Sequence, residues 1–234
     1  LLDEPTASLD AGMVDHIGKP FELQYFSRSI AHTAFHEFLS QKKYAGCVGF
    51  HYALEPDAVL GFSDLQADIA SALIRAGIQV TVFNQRSIEQ IFQVLFQVAA
   101  MVDQADRGKA LLAQMRTDIE RMQADSAAWP RRPRVYFEEW DEPRISAIRW
   151  VSELVGVAGG ADIFPELAQQ PLGKDRILAD DSQILARQPD IVIGSWCGKK
   201  FRPERVTSRP GWSEVPAVRD QQLFEIKSAD ILQP

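Results

Sequence analysis

Two short stretches of the sequence share one pattern and constrain the fold more than any other feature. Residues 54–64 read LEPDAVLGFSD and residues 187–197 read RQPDIVIGSWC. In each stretch a Pro-Asp pair leads into a short apolar run and then a Gly, at a constant offset of 133 positions. Such a run is typical of a buried parallel strand. A repeat on this scale predicts two similar α/β lobes.

The residues between the two stretches have mainly helical periodicity. A capping-box spacing, Ser63-x-x-Gln66, predicts the start of a helix, and the apolar run IQVTVF predicts a strand. The predicted elements are a helix at 64–76, a strand at 78–83 and helices at 88–102 and 105–127. At 1.5 Å per residue the last helix is roughly 33 Å long, which is enough to bridge two lobes.

The second half of the chain alternates strands and helices again. The predicted elements are a strand in RVYFEEW, helices at 145–158 and 182–187, a loop at 201–216 and a last strand in QLFEI. The fold class is therefore α/β, with two Rossmann-like lobes joined by a long helix. We expect an atypical N-terminal segment (1–50), a partial N-terminal lobe (51–103), a bridging helix (104–130) and a C-terminal lobe (131–234) that lacks its last helix.

Composition excludes some partners. The net charge of −7 argues against a nucleic-acid partner, because phosphate binding requires a basic surface. The sequence contains no run of 18 apolar residues, so no membrane insertion is expected. The two cysteines form no disulfide or metal framework, and all four histidines lie within the first 51 residues.

The first ten residues, LLDEPTASLD, resemble the Walker B strand and D-loop of ABC-transporter ATPases. ATP hydrolysis also requires a phosphate cradle of the form G-x-x-x-x-G-K-[ST], and the sequence has none. We therefore interpret this stretch as a fragment of an ATPase or as a fused start, and we expect no catalysis from Asp3 and Glu4.

Residues 54–234 resemble the substrate-binding proteins of ABC importers that have a helical backbone, the iron-siderophore and cobalamin receptor class. The two Pro-Asp-strand-Gly units, the FNQRSIEQI stretch and the bridging helix carry this resemblance. Within the class, VYFEEWDEPRISAIRW and PDIVIGSWCGKKFRPERVTSRPGW resemble cobalamin-binding proteins. The resemblance implies a periplasmic or extracytoplasmic location, although the sequence shows no signal peptide, and an ABC permease/ATPase complex as partner.

The binding residues are predicted from the strand ends, because ligands of open α/β sheets sit beyond the carboxyl ends of the strands. If both lobes face one cleft, aromatic and polar side chains converge there and suit a large amphipathic ligand. The predicted ligand-binding residues are Phe62, Asn84, Arg86, Glu138, Glu139, Trp140, Arg149, Trp196, Cys197 and Lys199. We rank Trp140, Trp196 and Phe62 first, the glutamates second and Arg149 third.

Other interpretations of these residues stay open. Each tryptophan also fits a core position, and Glu138-Glu139 also fits a solvated strand end. Paired carboxylates suggest general acid/base chemistry, and Cys197 beside two lysines suggests a reactive thiol, but neither has a catalytic partner in the sequence. No enzymatic activity, cofactor or metal site is predicted.

The resulting hypothesis is a binding protein that closes around cobalamin or a related corrinoid in an interlobe cleft. A ferric-siderophore receptor of the same fold is the first alternative, because an anionic siderophore would use Arg86, Arg149, Lys199 and Lys200 together. A fragment or fusion of an ABC ATPase is the second alternative, and a metal receptor of similar fold is the third.

Overall fold

The structure is a computed structural model that describes residues 56–63, 66–197 and 199–232. The predicted N-terminal segment and its ATPase-like start lie outside these residues, as do all four histidines. The chain divides into two compact units, the first ending at Gln85 and the second comprising Arg86–Pro234. Mixed helices and parallel-rich sheets confirm the α/β fold class.

The first unit contains a β-α-β element within its described residues. Strand β1 (Val59–Phe62) and strand β2 (Val80–Phe83) pair in parallel, with helix α1 (Ala67–Arg75) between them. The predicted capping box is corrected here, because the Gln66 side chain accepts a hydrogen bond from the Phe62 backbone N–H at 2.6 Å. Helix α1 therefore begins after Gln66 and not at Ser63, whose φ of 76° is not helical.

The second unit begins with two helices whose bounds agree with the predicted ones. Helix α2 spans Ile88–Met101 and is capped by Ser87, whose side chain accepts a hydrogen bond from the Gln90 N–H. Helix α3 spans Ala105–Ala127, and its described side chains are largely exposed. Among the described residues, no helix combines the length and apolar character needed to cross a membrane.

A five-stranded sheet forms the centre of the second unit. Its strands are β3 (Arg134–Asp141), β4 (Arg144–Ser146), β5 (Ala161–Asp162), β6 (Ile191–Gly194) and β7 (Leu223–Glu225). The order is β4-β3-β6-β7, and β5 also pairs with β3. Only β4 runs antiparallel to its neighbour. The carboxyl ends of β3 and β6 therefore lie side by side.

Short helices connect these strands. They are α4 (Arg149–Val157), α5 (Ser182–Arg187), α6 (Pro203–Thr207), α7 (Pro216–Arg219) and α8 (Ser228–Ile231), with 3-10 turns at Leu167–Gln169, Gly173–Arg176 and Trp212–Glu214. The predicted helix at 145–158 starts later, because residues 144–146 pair with β3. The predicted loop at 201–216 contains α6 and a 3-10 turn. We expected no closing helix after the last strand. A single helical turn, α8, follows β7.

The two faces of this sheet bury different side chains, because successive residues of a strand point to opposite faces. Tyr136 of β3 packs with Phe164, Trp196 and Trp212 on one face. Phe137 packs on the other face with a cluster that includes Trp150 of α4. The Trp150 indole N–H donates to the Ile231 carbonyl at 2.8 Å, which attaches α8 to that face.

The Pro-Asp pair of the second repeat has a structural role at the start of β6. The Asp190 carboxylate accepts hydrogen bonds from the backbone N–H of Arg134 at 2.8 Å and from the side chains of Arg134 and Arg131. Burial would raise the pKa of Asp190, but the bonds from Arg134 and Arg131 outweigh it and lower the pKa to about 2. The carboxylate therefore joins the first residue of β3 to the start of β6.

Asp190→Asn is expected to lower the free energy of unfolding by about 1–2 kcal/mol at pH 7. Because the folded-state pKa lies below the usual value, the carboxylate stabilises the fold above about pH 4 and loses this effect as the pH falls towards 2. The difference between the two proteins should fall to about half at pH 3. Urea unfolding at pH 7 and pH 3 measures it, and a difference that does not change with pH would contradict the assignment.

Gly194, the last residue of β6, is required by close packing. A Cβ built at this position would lie 1.9 Å from Phe201 Cδ2. The Phe201 ring cannot easily move away, because it packs edge-on against the buried Trp196 ring with centroids 5.0 Å apart.

Gly194→Ala is therefore expected to lower the free energy of unfolding of the second unit by about 1–3 kcal/mol. Tryptophan fluorescence reports this unit alone, because all five tryptophans lie after residue 85. Gly156→Ala is the matched control, since no atom lies within 4 Å of a Cβ at this helical position. An equal effect of the two substitutions would contradict the packing argument.

Candidate ligand-binding site

The carboxyl ends of β3 and β6 bring together several of the predicted residues. Glu138 of β3 pairs with Gly194 of β6, and the Ser195 N–H donates to the Glu138 carbonyl at 2.9 Å. The residues that follow each strand therefore share one edge of the sheet. Trp140 and Trp196 both lie at this edge, and the Lys199 ammonium lies 4.2 Å from the Trp140 ring centroid and 5.6 Å from that of Trp196.

Glu138 is fully buried and accepts hydrogen bonds from three side chains. Arg209 contacts both of its carboxylate oxygens, at 2.7 and 2.8 Å. The Trp196 indole N–H donates to it at 3.0 Å and the Tyr136 hydroxyl at 3.1 Å. The buried Glu138 carboxylate therefore fixes the positions of the Trp196 ring and the Arg209 guanidinium.

This arrangement also affects the ionisation of the neighbours of Glu138. Burial, followed by the negative charge of Glu138, raises the pKa of Tyr136 well above its usual value, so the hydroxyl remains a donor. Burial opposes the charge of Arg209, but its hydrogen bonds and ion pair with Glu138 raise the pKa of that guanidinium. The Arg209 guanidinium is therefore held in its charged form by the contact with Glu138.

The other acidic residues at the end of β3 are also paired. Arg176 is buried and contacts Glu139 through two nitrogens, at 2.6 and 3.1 Å, and also donates to the Ser146 carbonyl. The side chain of Asp141 is 2% exposed and contacts Lys199 and, at 2.9 Å, Arg205. These pairs anchor the loops that follow β5 and β6 onto the end of β3.

A small concavity of about 160 Å³ opens beside these pairs. Its lining residues are all charged: Asp141, Glu142, Arg144, Arg205 and Arg209. We call the charged groups at this edge, together with Trp140 and Trp196, the strand-end cluster. Its carboxylates are Glu138, Glu139, Asp141, Glu142 and Asp181, and its cations are Arg144, Arg176, Lys199, Arg205 and Arg209.

The remaining predicted residues lie outside this cluster. Arg149 is exposed at the start of α4 and forms an ion pair with Glu153 at 2.9 Å. Cys197 is half-buried directly after Trp196. In the first unit, Phe62 is the last residue of β1 and Asn84 directly follows β2, and both are exposed.

A second half-buried residue from the predictions lies just before α2. Arg86 donates its backbone N–H to the Gln90 side chain at 2.7 Å, which helps to fix the start of that helix.

Within the first unit, a wider apolar concavity of about 470 Å³ lies along α1 and includes Ile74 and Val82.

The residues predicted from the sequence do not include Asp141, Arg176, Arg205 or Arg209. The sequence does indicate two of these residues. In the FRPERVTSR segment, Arg205 and Arg209 are four positions apart, which is about one turn of a helix. The run EEWDE offers the complementary charges. Neither stretch alone shows that the two segments meet.

The family model described as periplasmic binding protein matches residues 52–229 of this sequence. The chain belongs to the periplasmic binding protein family. Members of this family are the substrate-binding proteins of ABC importers. They bind small-molecule ligands, deliver them to a permease/ATPase complex and catalyse no reaction. The resemblance to the substrate-binding proteins of ABC importers is thereby confirmed, and so is the prediction that the chain is not an enzyme.

Solved structures of periplasmic binding proteins share this fold. An ABC transporter substrate-binding protein from Listeria monocytogenes EGD-e is 19% identical, with a TM-score of 0.63 over 76% of this chain and 70% of that one. The periplasmic heme-binding protein BhuT, solved with two hemes, is 22% identical, with a TM-score of 0.64 over 77% and 70%. The periplasmic vitamin B12 binding protein BtuF of Vibrio cholerae is 16% identical, with a TM-score of 0.59 over 78% and 69%.

At these identities the likeness establishes the fold and leaves the ligand of this periplasmic binding protein to be argued from its own residues. No curated protein is significantly similar to the chain in sequence.

Proposed function

We propose that this periplasmic binding protein binds cobalamin or a related corrinoid at the strand-end cluster. Trp140 supplies a face for the macrocycle, and Lys199 and Arg205 supply donors for amide carbonyls at its periphery. Trp196 and Glu138 support these groups from below. Phe62 and Asn84 remain predictions from the sequence, and Arg149 remains a predicted contact of lower rank.

The observation that carries this proposal is the joint position of the two indoles and the Lys199 ammonium. Trp140 lies in β3 and Trp196 follows β6, yet one ammonium lies over both rings. Flat aromatic surface with a few fixed polar groups is the usual lining of a site for a large amphipathic ligand. A corrinoid, with amides around a macrocycle, has the matching chemistry.

The charge of the strand-end cluster favours a corrinoid over a ferric siderophore or heme. Its buried or half-buried carboxylates already hold cations: Glu138 holds Arg209 and Glu139 holds Arg176, each through hydrogen bonds at both oxygens, and Asp141 holds Lys199 and Arg205. An anionic ligand gains most where unpaired cations face it, because a pair that is already formed has to be broken or shared. A corrinoid carries uncharged amides around its ring, so its binding does not require unpaired cations.

Calorimetric titration of the full chain with a panel of ligands tests this proposal. The panel contains cobalamin, cobinamide, heme and a ferric siderophore, all at the same ionic strength. We expect both corrinoids to bind at least tenfold more tightly than the two anionic ligands, a difference of about 1.4 kcal/mol. Tighter binding of heme or of the ferric siderophore would replace the corrinoid assignment with the corresponding receptor.

A further inference from the structure

The buried carboxylate of Asp141 contacts two cationic side chains, one more than either of the neighbouring carboxylates of β3. Lys199 and Arg205 both contact Asp141, whereas Glu138 contacts one arginine and Glu139 another. Among the residues that the structure describes, the only further carboxylate within 4.0 Å of Arg205 is that of Glu142, at 3.8 Å, and its side chain is 84% exposed. An exposed carboxylate at that distance is strongly screened by water and salt. The pair Lys199 and Arg205 is thus neutralised mainly by Asp141.

The two cations are held over the same surface that the ligand is proposed to use. The Lys199 ammonium lies over the Trp140 ring, and the Arg205 guanidinium lies 5.5 Å from the Trp196 centroid. Both side chains are partly exposed, while the carboxylate beneath them is not. The cations therefore reach solvent and the charge that balances them does not.

We infer that Asp141 is a specificity-determining residue: it sets the charge that the site accepts next to Trp140. With Asp141 ionised, the two cations carry one net positive charge, and the site favours a ligand group that is neutral or carries a single negative charge. Without it, two uncompensated cations would favour ligands with several carboxylates. This inference rests on the proposed function, because it assumes that ligand contacts Lys199 and Arg205.

Asp141→Asn tests the inference with ligands that share one macrocycle. The probes are corrinoids that differ only in the number of peripheral amides replaced by carboxylates, titrated calorimetrically into the full chain. The measured quantity is the ratio of affinities for the polycarboxylate and the amide form. We expect Asp141→Asn to raise this ratio roughly tenfold at low ionic strength and less at high salt.

Glu142→Gln is the matched control, because it removes a carboxylate from the same concavity that is exposed to solvent. Its ratio should change less than about twofold. If Asp141→Asn does not fold, Lys199→Gln and Arg205→Gln replace it in the test. Both side chains are partly exposed, so these substitutions should not prevent folding. Each should lower the ratio about threefold to tenfold. An unchanged ratio in folded Asp141→Asn, or in both cation variants, would overturn the inference.

The same variants separate this inference from the proposed function. If no corrinoid binds, the ratio is measured with heme and its dimethyl ester, which differ by two carboxylates. A rise in that ratio in Asp141→Asn would support the role of Asp141 and reject the corrinoid assignment. Binding of none of these ligands to any variant would overturn both.

Discussion

Replacing Glu138 with alanine is expected to lower the free energy of unfolding of the second unit by about 3–5 kcal/mol, more than any other substitution at the strand-end cluster. The Arg209 guanidinium would stay buried without its counter-charge, because its side chain is only slightly exposed. Trp196 and Tyr136 would each lose the acceptor of their polar hydrogen as well. Urea unfolding followed by tryptophan fluorescence measures the change.

Glu142→Ala is the control for this prediction, since it removes a carboxylate from the same strand end that is exposed to water. Its effect should stay below about 0.5 kcal/mol. The double variant Glu138→Leu, Arg209→Met should recover part of the loss, because it removes both members of the buried pair. Equal destabilisation by Glu138→Ala and Glu142→Ala would show that Glu138 has no buried structural role.

The strands and helices that carry the site could be predicted because their signals are local. The run DIVIG and the stretch RVYFEEW have the apolar character of buried strands, and both form neighbouring parallel strands of one sheet. The predicted helix at 88–102 forms as α2, which the Ser87 side chain caps. The convergence of Trp140 and Trp196 follows from the same reasoning, since neighbouring parallel strands end at one edge.

The ion pairs of the strand-end cluster could not be predicted in the same way. Glu138 and Arg209 are 71 positions apart, and Glu139 and Arg176 are 37 apart. No periodicity links such distant residues, and an acidic run beside a basic one fits a solvated surface equally well. The start of α4 was misplaced for a similar reason, because the strand at 144–146 exists only through its pairing with β3.

Trp140→Ala is expected to weaken corrinoid binding about 5- to 150-fold, which corresponds to a loss of about 1–3 kcal/mol. The Trp140 ring is half-buried, and its indole N–H donates to the Glu142 carbonyl of its own turn, at 2.8 Å. Truncation should therefore remove aromatic contact surface and leave the core intact. Trp196→Ala is a poorer test, because this ring is buried against Phe201 and its loss would also destabilise the unit.

Side-by-side calorimetric titration of the unmodified chain, Trp140→Ala and Trp129→Ala with cobalamin tests the location of the site most directly. Trp129 is the matched control, because it is 51% exposed and lies just after α3, outside the strand-end cluster. The account predicts that Trp129→Ala binds within about twofold of the unmodified chain while Trp140→Ala binds at least about fivefold more weakly. Equal affinity of folded Trp140→Ala and the unmodified chain would contradict it.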